Sequence, residues 1–319
     1  MNKLDKGVFV ISLDTEMAWG RIDSLVMEKY VPLFEKTRKV IDRLLLLFDK
    51  YEISATWAIV GRLIEEREKL ATISPYNISD FYPTLSDEKL YEDKVLNKKE
   101  NSFIFGKDIY QKVKNCPTHQ EIATHSYNHI LFGKISKEQS HLADKDLQEV
   151  ARISKDHNLE ISSMVFPQNS LGHFKSLKEN GITSYRGKLE TWYSSLPNSL
   201  QKLARQVDDF STICPGVSIP KLNEFGLLNI PGNMPFRRLP FGVKKKIPYS
   251  IFLKKGIKGV NRAAKEKKVF HVWFHPFNFA FEEEAQFDCL EKLLIHVQTN
   301  VNLGKIDSLT MKQVEKQVL

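Results

Sequence analysis

The chain has 319 residues, 42% hydrophobic and 27% charged, with 20 Phe, 10 Tyr and 4 Trp. This mixture excludes a disordered chain, and 15 Gly with 13 Pro exclude a collagen-like or low-complexity one. Lys plus Arg exceed Asp plus Glu by 47 to 39, a formal charge of +8. Such a balance suits nucleic acid, an anionic membrane surface or a phosphorylated substrate, and the total alone does not choose.

Cys116, Cys214 and Cys289 are scattered and form no CxxC pair, which argues against a disulfide framework or a zinc knuckle and for a reducing compartment. The first apolar run, Val8 to Leu13, spans six residues. A secretory core needs roughly 7–15. No stretch reaches the ~20 apolar residues of a membrane span. The expectation is a cytoplasmic protein, with at most a peripheral contact at the inner membrane.

In chain order, Val8–Leu13 reads as a strand, and the apolar residues of 33–51 recur with a helical period. Ile53–Val60 is a second strand, closed by Gly61. Residues from about 70 to 117 break the rhythm and read as an insertion. A strand over 121–125 precedes an amphipathic helix over 137–157. Then come a strand over 161–166, a helix over 171–180 ended by Gly181, and a strand over 182–186. Residues 187–250 read as irregular, a second insertion. A late strand, Val269–Phe274, leads into a helix over 281–297. Alternating strands and helices predict one α/β domain over 1–319, with either an open parallel sheet or a closed barrel. Both architectures collect functional groups at the C-terminal ends of strands.

Four strand ends carry capable groups. In Ser12-Leu-Asp14-Thr-Glu16, alternation puts Ser12, Asp14 and Glu16 on one face. Either two carboxylates serve one site, or Asp14 caps a turn and Glu16 is solvated. In His125-Ser-Tyr-Asn-His129, histidines at i and i+4 share one side of a helical turn. They either hold a divalent metal, with a carboxylate as third ligand, or are unrelated loop histidines. Phe166-Pro-Gln168-Asn169 ends another strand. In His271-Val-Trp273-Phe-His275, His275 lies at the strand end and suits proton transfer near neutrality, while His271 reads as a core residue. Tyr127, Trp57, Trp192 and Trp273 are candidates to stack on a sugar ring, with a core role favoured for Trp57 and Trp273.

Taken in order, ISLDTE, ATWAIVG, EIATHSYNH, VFPQNSLGHF, GITSYRG and FHVWFHPFNF resemble the polysaccharide deacetylases of the NodB-homology type, carbohydrate esterase family 4. The resemblance runs from residue 8 to about 280, outside the inserts, and fits a bacterial surface-polysaccharide branch. It implies a distorted (β/α)7 barrel and metal-dependent removal of acetyl from an N-acetylated amino sugar. Asp14 matches the family's base, His125 and His129 its metal-binding histidines and His275 its acid. The family usually has adjacent carboxylates. Here Thr15 follows Asp14; some relatives place the metal ligand two residues on, which by resemblance makes it Glu16, with zinc as the expected metal. An arginine that usually holds the catalytic aspartate is replaced by Gln168, which cannot form a charged bidentate fork. Arg186 at the next strand end is positioned to compensate; if nothing does, the pKa of Asp14 rises and activity weakens. Gln168, Asn169, Arg186 and Tyr127 are therefore expected around the substrate.

The competing reading is a weakened or inactive relative that binds a glycan or protein partner. Nucleic-acid binding finds no supporting motif. The missing secretory signal suggests a nucleotide- or lipid-linked sugar. The charge is local: residues 237–268 hold 12 Lys or Arg against Glu266, or +11, leaving 8 − 11 = −3 for the rest. That segment is either a solvated helix face or a dock for a pyrophosphate carrier or anionic membrane.

Overall fold

In β1, Gly7–Thr15, side chains alternate strictly between two apolar environments. Phe9, Ile11 and Leu13 join the large core under the helices, whereas Val8 and Val10 point the other way, with Ala58, Ala123, Val165 and Val269. That second cluster is the inside of a barrel. The computed structural model describes residues 3–22, 27–66, 78–82, 85–96, 102–188, 193–194, 196–213, 215–238 and 240–319.

The remaining strands are β2 Ala55–Ile59, β3 Glu121–Thr124, β4 Ser163–Val165, β5 Ser184–Arg186, β6 Lys221–Leu222, β7 Leu228–Asn229, β8 Met234–Pro235, β9 Val269–Phe274 and β10 Ile306–Ser308. Parallel pairing runs β1 to β2, β3, β4 and β5, and from the other edge of β1 to β9. β7 pairs parallel with β5 and β8 parallel with β9, so residues 228–235 act as one strand interrupted at Pro231 and Gly232. A parallel bridge from Lys188 to Gly232 completes the seam. The ring is thus a distorted barrel of seven strand positions, as expected, with β6 and β10 as outer additions.

Helices cover the outside: α1 Val31–Lys50, α2 Gly61–Ile64, α3 Asp87–Glu92, α4 Lys107–Lys114, α5 Ser140–Asp156, α6 Phe174–Glu179, α7 Asn198–Phe210, α8 Tyr249–Glu266, α9 Glu283–Asn302 and α10 Met311–Val318. The apolar stripe read from the sequence for α1 is buried throughout, including Phe34, Ile41, Leu44 and Phe48. Among the described residues, no helix is long and apolar enough to cross a membrane.

Two parts of the fold depart from expectation. Residues 187–250, read as irregular, contain α7 and the start of α8. Gly256 and Gly259 make α8 a poor helix by propensity, at roughly 1 kcal/mol each. Both are needed for packing: a Cβ would press Leu293 from Gly256 and overlap the Phe270 ring from Gly259. Burial against α9 and β9 therefore outweighs propensity. The other addition is α10, opened by a Thr310–Gln313 capping box. Its Met311, Val314 and Val318 enter the interior cluster, and its first turn binds Thr56 Oγ1 and Glu121 Oε2. It plugs the N-terminal end of the barrel, leaving the C-terminal end for chemistry.

Candidate active site

The inward positions of β1 change from apolar to polar at Ser12, and those of β9 change between Val269 and His271. Arg186 ends β5 and crosses the barrel to Asp14, donating to its two oxygens at 2.6 and 2.8 Å and to Ser12 Oγ at 2.9 Å. His271 Nδ1 bonds the Ile230 carbonyl at 3.3 Å, which makes that nitrogen the protonated one. Its Nε2 then accepts the Ser12 hydroxyl at 2.8 Å. Burial and the Arg186 charge hold His271 neutral, its pKa lowered to about 3. Burial alone would raise Asp14, but Arg186 and then His275 outweigh it, lowering the carboxyl to about 2.

Beside this clamp lies a different group. Glu16 Oε2 is 3.2 Å from His125 Nε2 and 3.0 Å from His129 Nε2, and the three side chains are buried. His125 Nδ1 lies 2.7 Å from the Val165 carbonyl, which can only accept. Nδ1 therefore carries a proton, and Nε2 faces a carboxylate oxygen. The other carboxylate oxygen, Oε1, is buried without a hydrogen bond, and the three side chains converge on one point. The donor set of two imidazoles and one carboxylate fits a divalent metal, zinc by ligand type. Gly20 makes room for it: any Cβ there would overlap the Glu16 carboxylate.

The two histidines do not share a helical turn, as their spacing suggested. Ser126 and His129 adopt positive φ of 67° and 58°, and the loop folds back on itself. Buried Asp146, on α5, holds it by accepting from Ser126 Oγ and the backbone of Tyr127 and Asn128 at 2.8–2.9 Å. Sequence reasoning missed Asp146; its only signal was an acid on the inward face of an amphipathic helix.

His275 completes the site. Its Nε2 lies 3.3 Å from Glu16 Oε1 and 3.8 Å from Asp14 Oδ2. Arg237 donates to its Nδ1 at 3.0 Å, which fixes the tautomer with the proton on Nε2. Burial lowers the ring to about 4, against the pull of the two carboxylates. Arg237 is a second residue the sequence reading missed, lost among its basic neighbours. Trp273, expected in the core, is half-buried between Arg186 and Arg237, whose guanidinium centres lie 4.6 and 5.0 Å from its ring.

The structure therefore brings Asp14, Glu16, His125, His129, Arg186 and His275 together. Three expectations fall elsewhere. Tyr127 is fully buried between Arg62 and Arg152 and offers no face to a sugar. Gln168 is exposed on a left-handed turn after β4, and neither it nor Asn169 bonds a site residue. Trp192 lies outside the described residues, as does Cys214. Trp57 is a core residue, as read.

The sequence matches no protein-family model and no curated protein. Solved structures do match. A protein assigned as a polysaccharide deacetylase from Mycobacterium smegmatis superposes with a TM-score of 0.59 at 12% identity, covering 100% of this chain and 92% of that one. Another so assigned, from Pseudomonas aeruginosa PAO1, gives 0.54 at 13% identity, covering 97% and 89%. This is the polysaccharide-deacetylase fold. PuuE allantoinase gives 0.54 at 12% identity, covering 97% and 88%. The deacetylase fold thus also carries an enzyme named for a different substrate, and chemistry must be argued from the site. Within that fold, Arg186 supplies from β5 the clamp that Gln168 cannot supply from β4.

Proposed function

We propose that the protein is a metal-dependent hydrolase that removes the N-acetyl group from an amino sugar. The observation that carries this reading is the adjacency of a clamped carboxylate, Asp14–Arg186, to the Glu16–His125–His129 donor set at one barrel end. A divalent metal held there would polarise the acetyl carbonyl and acidify a water. Asp14, kept ionised by Arg186, takes the proton from that water as its oxygen attacks the carbonyl carbon. When the C–N bond breaks, the same proton passes from Asp14 to nitrogen, giving the free amine and acetate. His275 presents Nε2–H to this space, with Arg237 keeping the ring in that tautomer. It is proposed to donate a hydrogen bond to the oxygen that becomes negative on attack, in place of the acid role that the resemblance gave it.

The substrate is proposed to be anionic, a sugar on a nucleotide or lipid pyrophosphate, made for a surface polysaccharide. Arg186 and Arg237 lie by the two carboxylates with Arg21 near Arg237, and among the described residues neither Arg21 nor Arg237 pairs with an acid. Arg237 Nε is buried without a partner. A bound divalent ion would make this excess larger, and a phosphate would balance it. The free thiols Cys116 and Cys289 support a cytoplasmic place of action. An inactive glycan- or partner-binding relative was motivated by Gln168, and the Arg186 clamp removes that motive.

The test is acetate release from nucleotide-linked, lipid-linked and free N-acetyl amino sugars with added zinc. Release that is abolished by His125→Ala is expected. No release from any class, or release indifferent to His125→Ala, would refute the reading.

A further inference from the structure

Helix α7 is oriented the wrong way round for a water-exposed helix. Leu200, Leu203, Val207 and Phe210 recur at i, i+3, i+7 and i+10, a single face, and are 50, 60, 54 and 38% exposed. Ile213, 50% exposed, extends that apolar line. The side that faces the barrel is instead Ala204 and Asp208. Lys255 Nζ binds the Asp208 carboxylate at 3.0 Å and its carbonyl at 2.9 Å, and Lys258 donates to the Thr212 carbonyl at 2.5 Å. α7 is therefore pinned to α8 by polar contacts, with its apolar face outward.

The helix it is pinned to carries the chain's charge excess, +11 over residues 237–268. Lys254 and Lys265 project along one exposed face of α8, Lys267 follows, and Lys245 and Lys246 are exposed just before it. The segment's single acid, Glu266, is occupied by Arg262 and Lys268. An apolar helix face beside a lysine stripe is the amphipathic pattern of interfacial binding. A symmetric second copy would set one +11 segment near another, and nucleic acid has no apolar layer to receive four large side chains.

We propose that the protein docks on an anionic lipid bilayer, seating the outer face of α7 among the acyl chains while the lysines of α8 and residues 245–246 hold the headgroups. This does not rest on the hydrolase reading, since it concerns a different surface and is tested without turnover.

The experiment is co-sedimentation of the full chain with phosphatidylglycerol–phosphatidylcholine vesicles and with phosphatidylcholine alone, with circular dichroism on each variant to confirm folding. Binding to the anionic vesicles only is expected. Leu203→Glu with Val207→Glu should abolish it. Lys245→Gln, Lys246→Gln and Lys254→Gln should each weaken it about fivefold, an effect that added salt reproduces. Absence of binding to anionic vesicles would overturn the proposal. So would undiminished binding by the folded Leu203→Glu/Val207→Glu variant, or a solution dimer that this variant dissociates.

Discussion

The Asp14 half of the site closes on itself: Arg186, Ser12 and His271 form a chain of hydrogen bonds that leaves none of their buried polar atoms without a partner. The Glu16 half does not close. One carboxylate oxygen is buried unbonded, and the other is shared by two imidazole nitrogens. A buried polar atom without a partner costs about 1–3 kcal/mol. The protein satisfies one half completely while leaving that cost in the other, and His275 Nε2 lies within 4 Å of both carboxylates. The difference separates a closed hydrogen-bonded group from a cluster whose ligand atoms could hold a metal ion.

The largest effects come from breaking the closed half. Arg186→Gln strands Asp14 as an unpaired buried carboxylate. We expect a loss of about 3–5 kcal/mol in urea unfolding and of hydrolytic activity together. Asp14→Asn should also abolish activity. The double variant should be less destabilised than the sum of the two singles, because the stranded charge is gone; additivity would mean that the clamp is not one coupled unit.

The open half predicts gain rather than loss. Zinc at about one hundred times its dissociation constant should stabilise the wild type by about 2.7 kcal/mol. Glu16→Gln or His125→Ala should lose that stabilisation. Asp146→Ala, which frees the loop without touching a ligand, should weaken zinc affinity roughly 10–100-fold. Equal zinc stabilisation of all these variants would place the ion elsewhere.

Acid should act through the buried histidines before it reaches the clamp. His271 and His275 are lowered from 6.5 to about 3 and about 4, so between those values and 6.5 the unfolded chain binds more protons than the folded one. Stability therefore rises with pH from about 4 to about 6.5 and then levels. Asp14, lowered from 3.8 to about 2, adds stability that is complete above 3.8 and lost as pH falls toward 2. Urea midpoints of the metal-free protein across this range check both signs. A midpoint flat between pH 4 and 6.5 would show that these histidines are not held neutral by burial.

Within the site, His275→Gln should retain more activity than His275→Ala. The amide replaces an N–H donor but cannot deliver a proton. Equal loss in both would restore a conventional acid role to the ring.

Much of this was legible in the sequence because strand alternation is local. The parity of Ser12, Asp14 and Glu16, and of His271, Trp273 and His275, follows from period two and survives folding unchanged. The barrel's seventh position did not show, because β7 and β8 are two-residue pieces divided by Pro231 and Gly232. α8 was legible only as one reading of the basic segment, because its glycines, which serve contact with Leu293 and Phe270, lower helix propensity. Asp146 and Arg237 act on histidines 17–38 positions away, through a loop and a barrel seam that no spacing rule encodes. Arg186 was legible as a strand-end candidate to replace the missing arginine, although its partner lies 172 residues upstream.

The smallest predicted effect is the most discriminating. If Gln168 marked a lost clamp, Gln168→Arg should restore activity. In this structure the Asp14 oxygens already receive both guanidinium nitrogens of Arg186, and Gln168 is exposed on a turn with φ of 49°. A new arginine there has no vacant acceptor to reach, and a surface substitution typically changes stability by less than about 0.5 kcal/mol. Activity and stability should therefore both stay within error of wild type. In an Arg186→Gln background the outcome is open to geometry: rescue by Gln168→Arg would mean that the aspartate accepts a clamp from either strand, and its absence that β5 alone is aligned to provide one.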